Sequence, residues 1–448
     1  MNNREEGGWN VPLKRKKALL LTLLGSVLLL AYLNNNRAEN PDTYDQNEIV
    51  TLTFWDENAG PSRTPLWEEI ITNFNIVNDD VRVEYVGIPR DDAKMKMDAA
   101  IAADNTPDIA SIQTSWLPEF SYREALYPLD SFYEGSTIDG VIRESALETN
   151  RKIVSDNHLY GIPYTQNLDV LWIRQDLFEV EGIKEPETWE EFFEAVEAMT
   201  TEEMYGYTMR GGAGGSLQLQ RLMYAYSGIS EYITEDGYST IDDPMHLEFL
   251  ERYFSLYEKY TPQSDITNSY NEMVATFDKG KAAMVHHNIG SYANHKDALE
   301  KNQFKAIPLP ISLQGHHVVE GGNTISVAIF AGTDYPEEAF RFIEFVNSAE
   351  SQSIWNKEVG QIPTNRDVMT EKWIQDAQHL TTAFSIYENP DTVLYEPPFH
   401  LPDYRLILDN QIDVGIQAVM VGEKSVEEFL TEWAEAIETS SEKNKGEL

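Results

Sequence analysis

Residues 50–112 constrain the fold more than any other part of the chain. Val50, Leu52 and Phe54 alternate with Thr51 and Thr53. That period of two puts successive side chains on opposite faces of a strand. Thr64-Pro65 then opens a helix with apolar residues at Leu66, Trp67, Ile70, Ile71 and Phe74. A second alternating strand follows over 81–86, then an Ala- and Met-rich helix over 91–103, then a short strand over 108–112. This β-α-β-α-β order implies a parallel sheet with right-handed crossovers. In open α/β sheets, ligands bind beyond the carboxyl ends of the strands, so those ends are the first places to look for a site.

Later helix starts are well marked. Thr188-Trp189-Glu190-Glu191, Asp334-Tyr335-Pro336-Glu337 and Ser425-Val426-Glu427-Glu428 each fit a capping box ahead of an apolar periodic run. The glycine-rich stretch 211–215 lacks the Gly-Lys-Ser/Thr ending of a phosphate loop and reads as a flexible turn. No internal repeat is visible, and 441–448 reads as a disordered tail.

Composition removes several classes of function. The 448 residues carry 34 Lys and Arg against 75 Asp and Glu, a formal charge of −41. Such a surface repels nucleic acid and anionic lipid, so no nucleic-acid partner is expected. The acids are spread along the whole chain, which suits solubility in saline or alkaline surroundings better than a local acidic binding patch. With no cysteine, disulfides, thiolate metal sites, thiol nucleophiles, iron–sulfur clusters and an N-terminal lipidated Cys are all excluded. No cofactor is indicated.

The N-terminus supplies an address. Lys14-Arg15-Lys16-Lys17 precedes an apolar run over 18–33, broken only by Thr22, Gly25, Ser26 and Tyr32. A basic flank before such a run marks a secretory signal or a signal anchor, with the rest of the chain outside the cell. The run spans roughly 24 Å at ~1.5 Å per residue, short of a ~30 Å hydrocarbon core but workable with snorkelling flanks. No clean small-x-small cleavage site follows, which favours an uncleaved anchor. Residues 1–47 thus read as anchor and tether, and membrane contact is expected through this segment only.

A family resemblance rests on motifs whose order and spacing matter more than any one of them. They begin with Leu52-Thr53-Phe54-Trp55-Asp56, Thr106-Pro107-Asp108-Ile109 and Ser115-Trp116. Leu159-Tyr160-Gly161-Ile162-Pro163-Tyr164 and Pro186-Glu187-Thr188-Trp189-Glu190-Glu191-Phe192 follow. The series ends with Phe277 and Gly280-Lys281-Ala282-Ala283-Met284, then Gly290-Ser291-Tyr292, then Gly321-Gly322-Asn323. Together they resemble the sugar-binding proteins of ABC importers, the maltose-binding-protein-like group of extracellular solute-binding proteins. The resemblance implies an α/β, two-lobe periplasmic-binding-protein-like (type II) fold with discontinuous lobes and an interlobe cleft. Lobe 1 would hold 48–164 and 325–362, and lobe 2 would hold 165–324 and 363–440. Crossings would fall near 164–169, 322–326 and 361–364. The implied function is capture of a sugar or oligosaccharide for the permease subunits of an ABC importer, by hinge closure and without catalysis.

A sugar needs aromatic faces for its C–H patches and polar groups for its hydroxyls. Trp55, Asp56 and Asn58 follow the first strand; a core Trp and a turn would account for them equally well. Gln113, Ser115 and Trp116 follow the third strand, with Trp116 expected to stack on ligand. Tyr164, Asn167 and Asp169 lie at the first crossing, where the resemblance implies polar contacts. Tyr292 stands where the family usually has Trp, which keeps a stacking face and adds a hydroxyl. Gly321, Gly322 and Asn323 could let backbone approach the ligand, and Tyr404, near His400, is a further aromatic candidate. His286-His287 and His316-His317 are adjacent pairs; on a strand such neighbours face opposite ways, so they are expected as separate residues rather than metal ligands. Three rivals stay open. A glycoside hydrolase would show two carboxyls about 5–9 Å apart flanking its ligand. The same fold could bind a polyamine, an amino acid or iron, and an acid-dominated cleft without aromatic faces would mark the polyamine. A membrane sensor without an importer is the third.

Overall fold

The structure, a computed structural model, describes residues 49–447 apart from 388 and 402. The expected anchor and tether lie outside the described residues. Among the described residues no helix is long and apolar enough to cross a membrane.

Among the described residues twelve strands run in chain order: β1 (Val50–Asp56), β2 (Val81–Gly87), β3 (Ile109–Gln113), β4 (Ile162–Gln166), β5 (Asp169–Ile173), β6 (Tyr205–Thr208), β7 (Ala282–Asn288), β8 (Lys305–Ile307), β9 (Val318–Glu320), β10 (Thr324–Ile329), β11 (Ile362–Pro363) and β12 (Val393–Tyr395). One sheet has the order β11-β4-β10-β3-β1-β2 and another β6-β7-β5-β8, and β9 and β12 form a third, two-stranded ladder. β1 lies parallel to both β2 and β3, the arrangement the β-α-β-α-β pattern requires. β10 then runs antiparallel between β3 and β4.

Each sheet is covered on both faces, so period-two alternation sorts side chains between two cores. In β3, Ile109 joins a cluster with Phe54, Trp67 and Phe342, while Ala110 and Ile112 join one with Met97 and Phe120. In β5, Leu171 and Ile173 face a cluster built on Phe192, Tyr207 and Phe249, while Val170 and Trp172 face one built on Phe277 and Leu380. These separate cores around separate sheets make two lobes. The chain leaves the first sheet at Gln166 and enters the second at Asp169, and it returns from β9 to β10 between Glu320 and Thr324.

Helix starts follow local chemistry. Thr188 and Glu191 form the capping box their spacing predicts, and Ser425 accepts from the Glu428 amide. Asp334 does not cap: the helix Pro336–Val346 starts after Tyr335 with Pro at its first turn and no side-chain cap. Ser269 and Glu272 form a second capping box, ahead of the helix Tyr270–Asp278. The last helix, Val426–Glu447, runs on through the stretch expected to be a disordered tail. Ser441, where that stretch begins, is buried, and Ser440 just before it bonds Asp403.

Candidate functional site

Between the two sheets lies a cavity of ≈ 90 Å³, about six times the volume that admits one water. Its walls come from strand ends. In the first lobe, Asn58 follows β1, Arg90 follows β2, and Gln113, Thr114 and Ser115 end or follow β3. In the second, Arg210 follows β6, and His287, Asn288 and Gly290 end or follow β7. Both lobes thus present the carboxyl ends of parallel strands to one space, as open α/β sheets do.

The floor is formed where the chain crosses between sheets. The Asn167 amide donates to the Asn323 carbonyl at 2.7 Å. Gln361 Nε2 donates to Asn167 Oδ1 at 2.8 Å, and Trp355 Nε1 donates to Gln361 Oε1 at 2.8 Å. A chain of bonds from a core tryptophan therefore holds Asn167, Asn323 and Gln361 in the cavity lining.

Charge in the cavity is unlike charge on the exterior. Arg63, Arg90, Arg210, Arg221 and Arg405 all line it. Arg221 forks between Glu320, with Nε and Nη2 each donating at 2.8 Å, and Asp169 at 3.1 Å. Burial opposes its charge, but the two carboxylates override that and hold it above the ordinary arginine value. Arg90 pairs with the buried Glu57, which also accepts from Gln113 Nε2 at 2.9 Å. Arg405 pairs with Asp409 at 2.6 Å. Burial, reinforced by Arg90, pushes Arg210 down to about 10. His287 is held well below its usual value, by burial first and then by Arg210. It stays neutral, its ring 4.8 Å from that of Tyr270.

Arg210 owes its position to the glycine-rich loop. Gly214 has φ +78°, and a Cβ there would lie 2.5 Å from Arg210 Nη2. A Cβ on Gly212 would lie 2.4 Å from the Thr267 carbonyl oxygen. The loop expected to be a flexible turn is instead a close-packed one in which side chains have no room. The Gly214 and Ser216 amides at the following helix start both donate to Asp413.

The lobes already touch across the cleft. Arg63 Nη2 donates to the Gly290 carbonyl at 2.8 Å and Nη1 to Asn294 Oδ1 at 3.3 Å. From the opposite lobe, Ser269 Oγ and Asn271 Nδ2 donate to Asp91 Oδ2 at 2.8 and 3.1 Å.

Of the residues singled out in the sequence, Asn58, Gln113, Ser115, Asn167 and Asn323 line this cavity. Asp169 stands behind it, holding Arg221. The expected aromatic faces lie elsewhere. Trp116 is 2% exposed, packs near Phe120, and borders an adjoining recess that shares Arg90, Arg210 and Arg405 with the cavity. Trp55 packs against that same core cluster. Tyr164 sits edge-on between Trp67 and Trp355 at 5.3 and 5.5 Å. Tyr292 stacks on His379 at 4.0 Å, in a different recess. Tyr404 is buried and donates to Gln220 Oε1 at 2.6 Å. Asp56 turns inward to accept from Tyr85 Oη at 2.9 Å. Gly321, Gly322 and His400 line a further recess, where Gly322 meets Thr149. Tyr270 and Phe399 supply the aromatic surface that the cavity does have.

The neighbouring histidines diverge as strand geometry requires. His286 is fully buried, 3.7 Å from Asp169, and burial pushes it down to about 3, whereas His287 lines the cavity. Among the described residues no cluster of three or more His, Cys, Asp or Glu is placed to hold a metal.

Comparison with known proteins agrees with this architecture. A Brucella abortus protein described as a binding protein is 26% identical over 321 residues, covering 68% of this chain and 73% of its own. A multiple sugar-binding protein of Streptococcus mutans is 21% identical, covering 75% of this chain and 79% of its own. The crystal structure of an ABC transporter solute-binding protein from Thermotoga lettingae TMO, bound with α-D-tagatose, superposes with a TM-score of 0.77 at 23% identity, over 88% of this chain and 100% of that one. The two-lobe fold is therefore that of the maltose-binding-like proteins. Residues 69–382 match the sequence profile of the bacterial extracellular solute-binding proteins, and the chain belongs to that family.

Proposed function

We propose that the chain captures a sugar or short oligosaccharide between its lobes, outside the cell, and hands it to the permease subunits of an ABC importer. The observation that carries this reading is the cavity between the sheets, where amide and hydroxyl side chains from both lobes and the crossing segments converge. Planar amides such as Asn58, Gln113, Asn167 and Asn323 can donate and accept at once, which suits ring hydroxyls. Sugars in related proteins, such as the tagatose of the Thermotoga structure, support the ligand class. The relatives are binding proteins, which supports binding without catalysis. Five lining arginines argue against a polyamine, whose charge they would repel.

A thermal-shift screen against mono- and oligosaccharides tests the reading. A ligand at ~100 times its dissociation constant stabilises by ~2.7 kcal/mol. Small-angle scattering should show the radius of gyration fall with the same ligand, because only differential contact with both lobes shifts open to closed. If no saccharide stabilises the protein and another solute class does, the sugar reading is lost. The proposed address is an N-in, C-out anchor set by Lys14-Arg15-Lys16-Lys17. Protease added to intact cells should digest residues 50–448; a protected chain that fractionates with cytosol would refute export.

A further inference from the structure

The cavity holds more positive charge than its own carboxylates neutralise. Five described lining residues are arginines, and one, Glu320, is acidic. Glu320 and Asp169 are taken by Arg221, Glu57 by Arg90 and Asp409 by Arg405. Among the described residues Arg63 and Arg210 have no carboxylate within 4.0 Å. Arg63 is spent on the facing lobe through Gly290, Asn294 and Tyr270. Arg210 makes one bond of its own, from Nε to the Ala213 carbonyl at 2.7 Å, and leaves the planar end of the guanidinium to the cavity.

Buried donors on the same walls are also unpartnered. Arg405 Nη1 and Asn323 Nδ2 are buried with no hydrogen-bond acceptor, and His287 Nδ1 has no partner. A buried donor left unmade is costly, so such groups are normally met by protein or by what binds there. A guanidinium that faces the same cavity with no carboxylate in contact is a ready partner for an anion. Gly214, at φ +78°, lets the loop pass close beside the Arg210 guanidinium.

We propose that the captured saccharide is acidic, carrying a carboxylate or phosphate that Arg210 grips. This rests on the sugar-binding reading and narrows it. The guanidinium fork matches either anion in a bidentate manner. Arg63 and Arg405 add field without needing contact, while Asn58 and the amide atoms that Gln113 and Asn167 do not spend on Glu57 and Gln361 are left for neutral hydroxyls. On this account the arginines select the charged member of a sugar pair, because a neutral analogue leaves the Arg210 guanidinium without a carboxylate or phosphate in contact.

The test is isothermal calorimetry and thermal shift with the full chain. The probes are galacturonate, glucuronate, digalacturonate and glucose 6-phosphate beside neutral galactose, glucose and maltose. The expected result is that at least one acidic probe binds about ten- to a hundred-fold tighter than its neutral parent; carboxylate and phosphate arms identify the anion. Arg210→Gln should remove that preference while leaving the melting temperature of the unliganded protein nearly unchanged, since the half-buried side chain makes one bond within the protein, to the Ala213 carbonyl. Lys372→Gln, at an exposed pair outside the cavity lining, should leave the preference intact. Neutral sugars binding as tightly as their acidic partners would overturn this inference and leave the sugar reading standing. Binding of glutamate or succinate with no saccharide bound would overturn both. No binding by any probe counts against both as well.

Discussion

The exterior and the cleft of this protein carry opposite charge and obey different rules. The chain as a whole bears −41, yet five of its arginines gather around one cavity. On the exterior, ion pairs such as Arg341 with Asp80, at 39% and 60% side-chain exposure, are solvated and screened. In the cleft, Arg221 lies between Asp169 and Glu320, which are 5% and 3% exposed. The lesson is that net charge describes a surface and says nothing about a site. A strongly acidic protein can still hold a basic pocket when each arginine is fixed by its own carboxylate or by tight backbone.

The largest expected effect comes from breaking the buried triad. Arg221→Leu would strand two buried carboxylates, and Tyr395 Oη, 3.2 Å from Glu320, is a weak replacement. Removing one partner of such a pair costs about 3–5 kcal/mol. Arg341→Leu on the exterior should cost no more than about 1 kcal/mol. Urea unfolding of both variants measures the contrast directly. Equal losses would mean that the cleft is as wet as the surface.

Much of the fold was legible because it is written in local periods. The alternation of Val50, Leu52 and Phe54 gave β1, the Thr64-Pro65 start gave the helix over it, and residues after strand ends gave Asn58, Gln113 and Ser115. The arginines were missed, although the same rule reaches them. Arg90 and Arg210 follow β2 and β6 just as Asn58 follows β1, and asking the question at every parallel strand would have found them. Arg221 and Arg405 lie on helices, and only the tertiary fold brings them to the cavity. Aromatic type was a poor guide for a simple reason. Trp116, Tyr164, Tyr292 and Tyr404 present the same stacking faces to a core as to a sugar, and sequence does not say which neighbour arrives first.

The next effect is a pH dependence inside the first lobe. Burial, with Glu57 alongside, pushes the Asp56 carboxyl up to about 7. A carboxyl held above its unfolded value binds its proton more tightly when folded, so its contribution is full below about pH 4 and is lost as pH rises toward 7. Asp56→Asn keeps an acceptor for the Asn58 amide, and Tyr85 Oη can turn to Thr64 Oγ1, 3.1 Å away. The variant should therefore gain on the wild type by an amount on the order of 3 kcal/mol between pH 4 and pH 8. Parallel unfolding curves across that range would show that Asp56 is ionised at no unusual cost.

A smaller effect should follow from loosening the contact between lobes. Asp91 accepts from Ser269 and Asn271 across the cleft, and its own side is exposed. Asp91→Ala should lower the closed population by about 1 kcal/mol, weakening ligand roughly five-fold with no change in melting temperature of either lobe. Scattering without ligand should show a larger radius of gyration. An unchanged radius and affinity would mean that Asp91 adds nothing to what Arg63 and the crossing segments already hold.

The smallest effect per residue, though spread over the whole exterior, is that of salt. Like charges on a −41 surface repel, and the repulsion is stronger in the compact state than in the extended chain. Raising NaCl from 0.05 to 1 M shortens the screening length from more than 10 Å to about 3 Å, which removes most of that repulsion while leaving contact pairs in the buried cleft little changed. The melting temperature should therefore rise by a few degrees with salt. An anionic ligand should respond the other way: its approach to the arginines is steered through solvent, so its association slows and its affinity falls as salt is added. Measured together, a melting curve that climbs and an affinity that drops would separate the two regions in one titration. A melting temperature flat in salt would mean that the exterior acids are already neutralised among themselves. An affinity flat in salt would place the ligand's contacts on the neutral amides of Asn58, Gln113 and Asn167 instead of on Arg210.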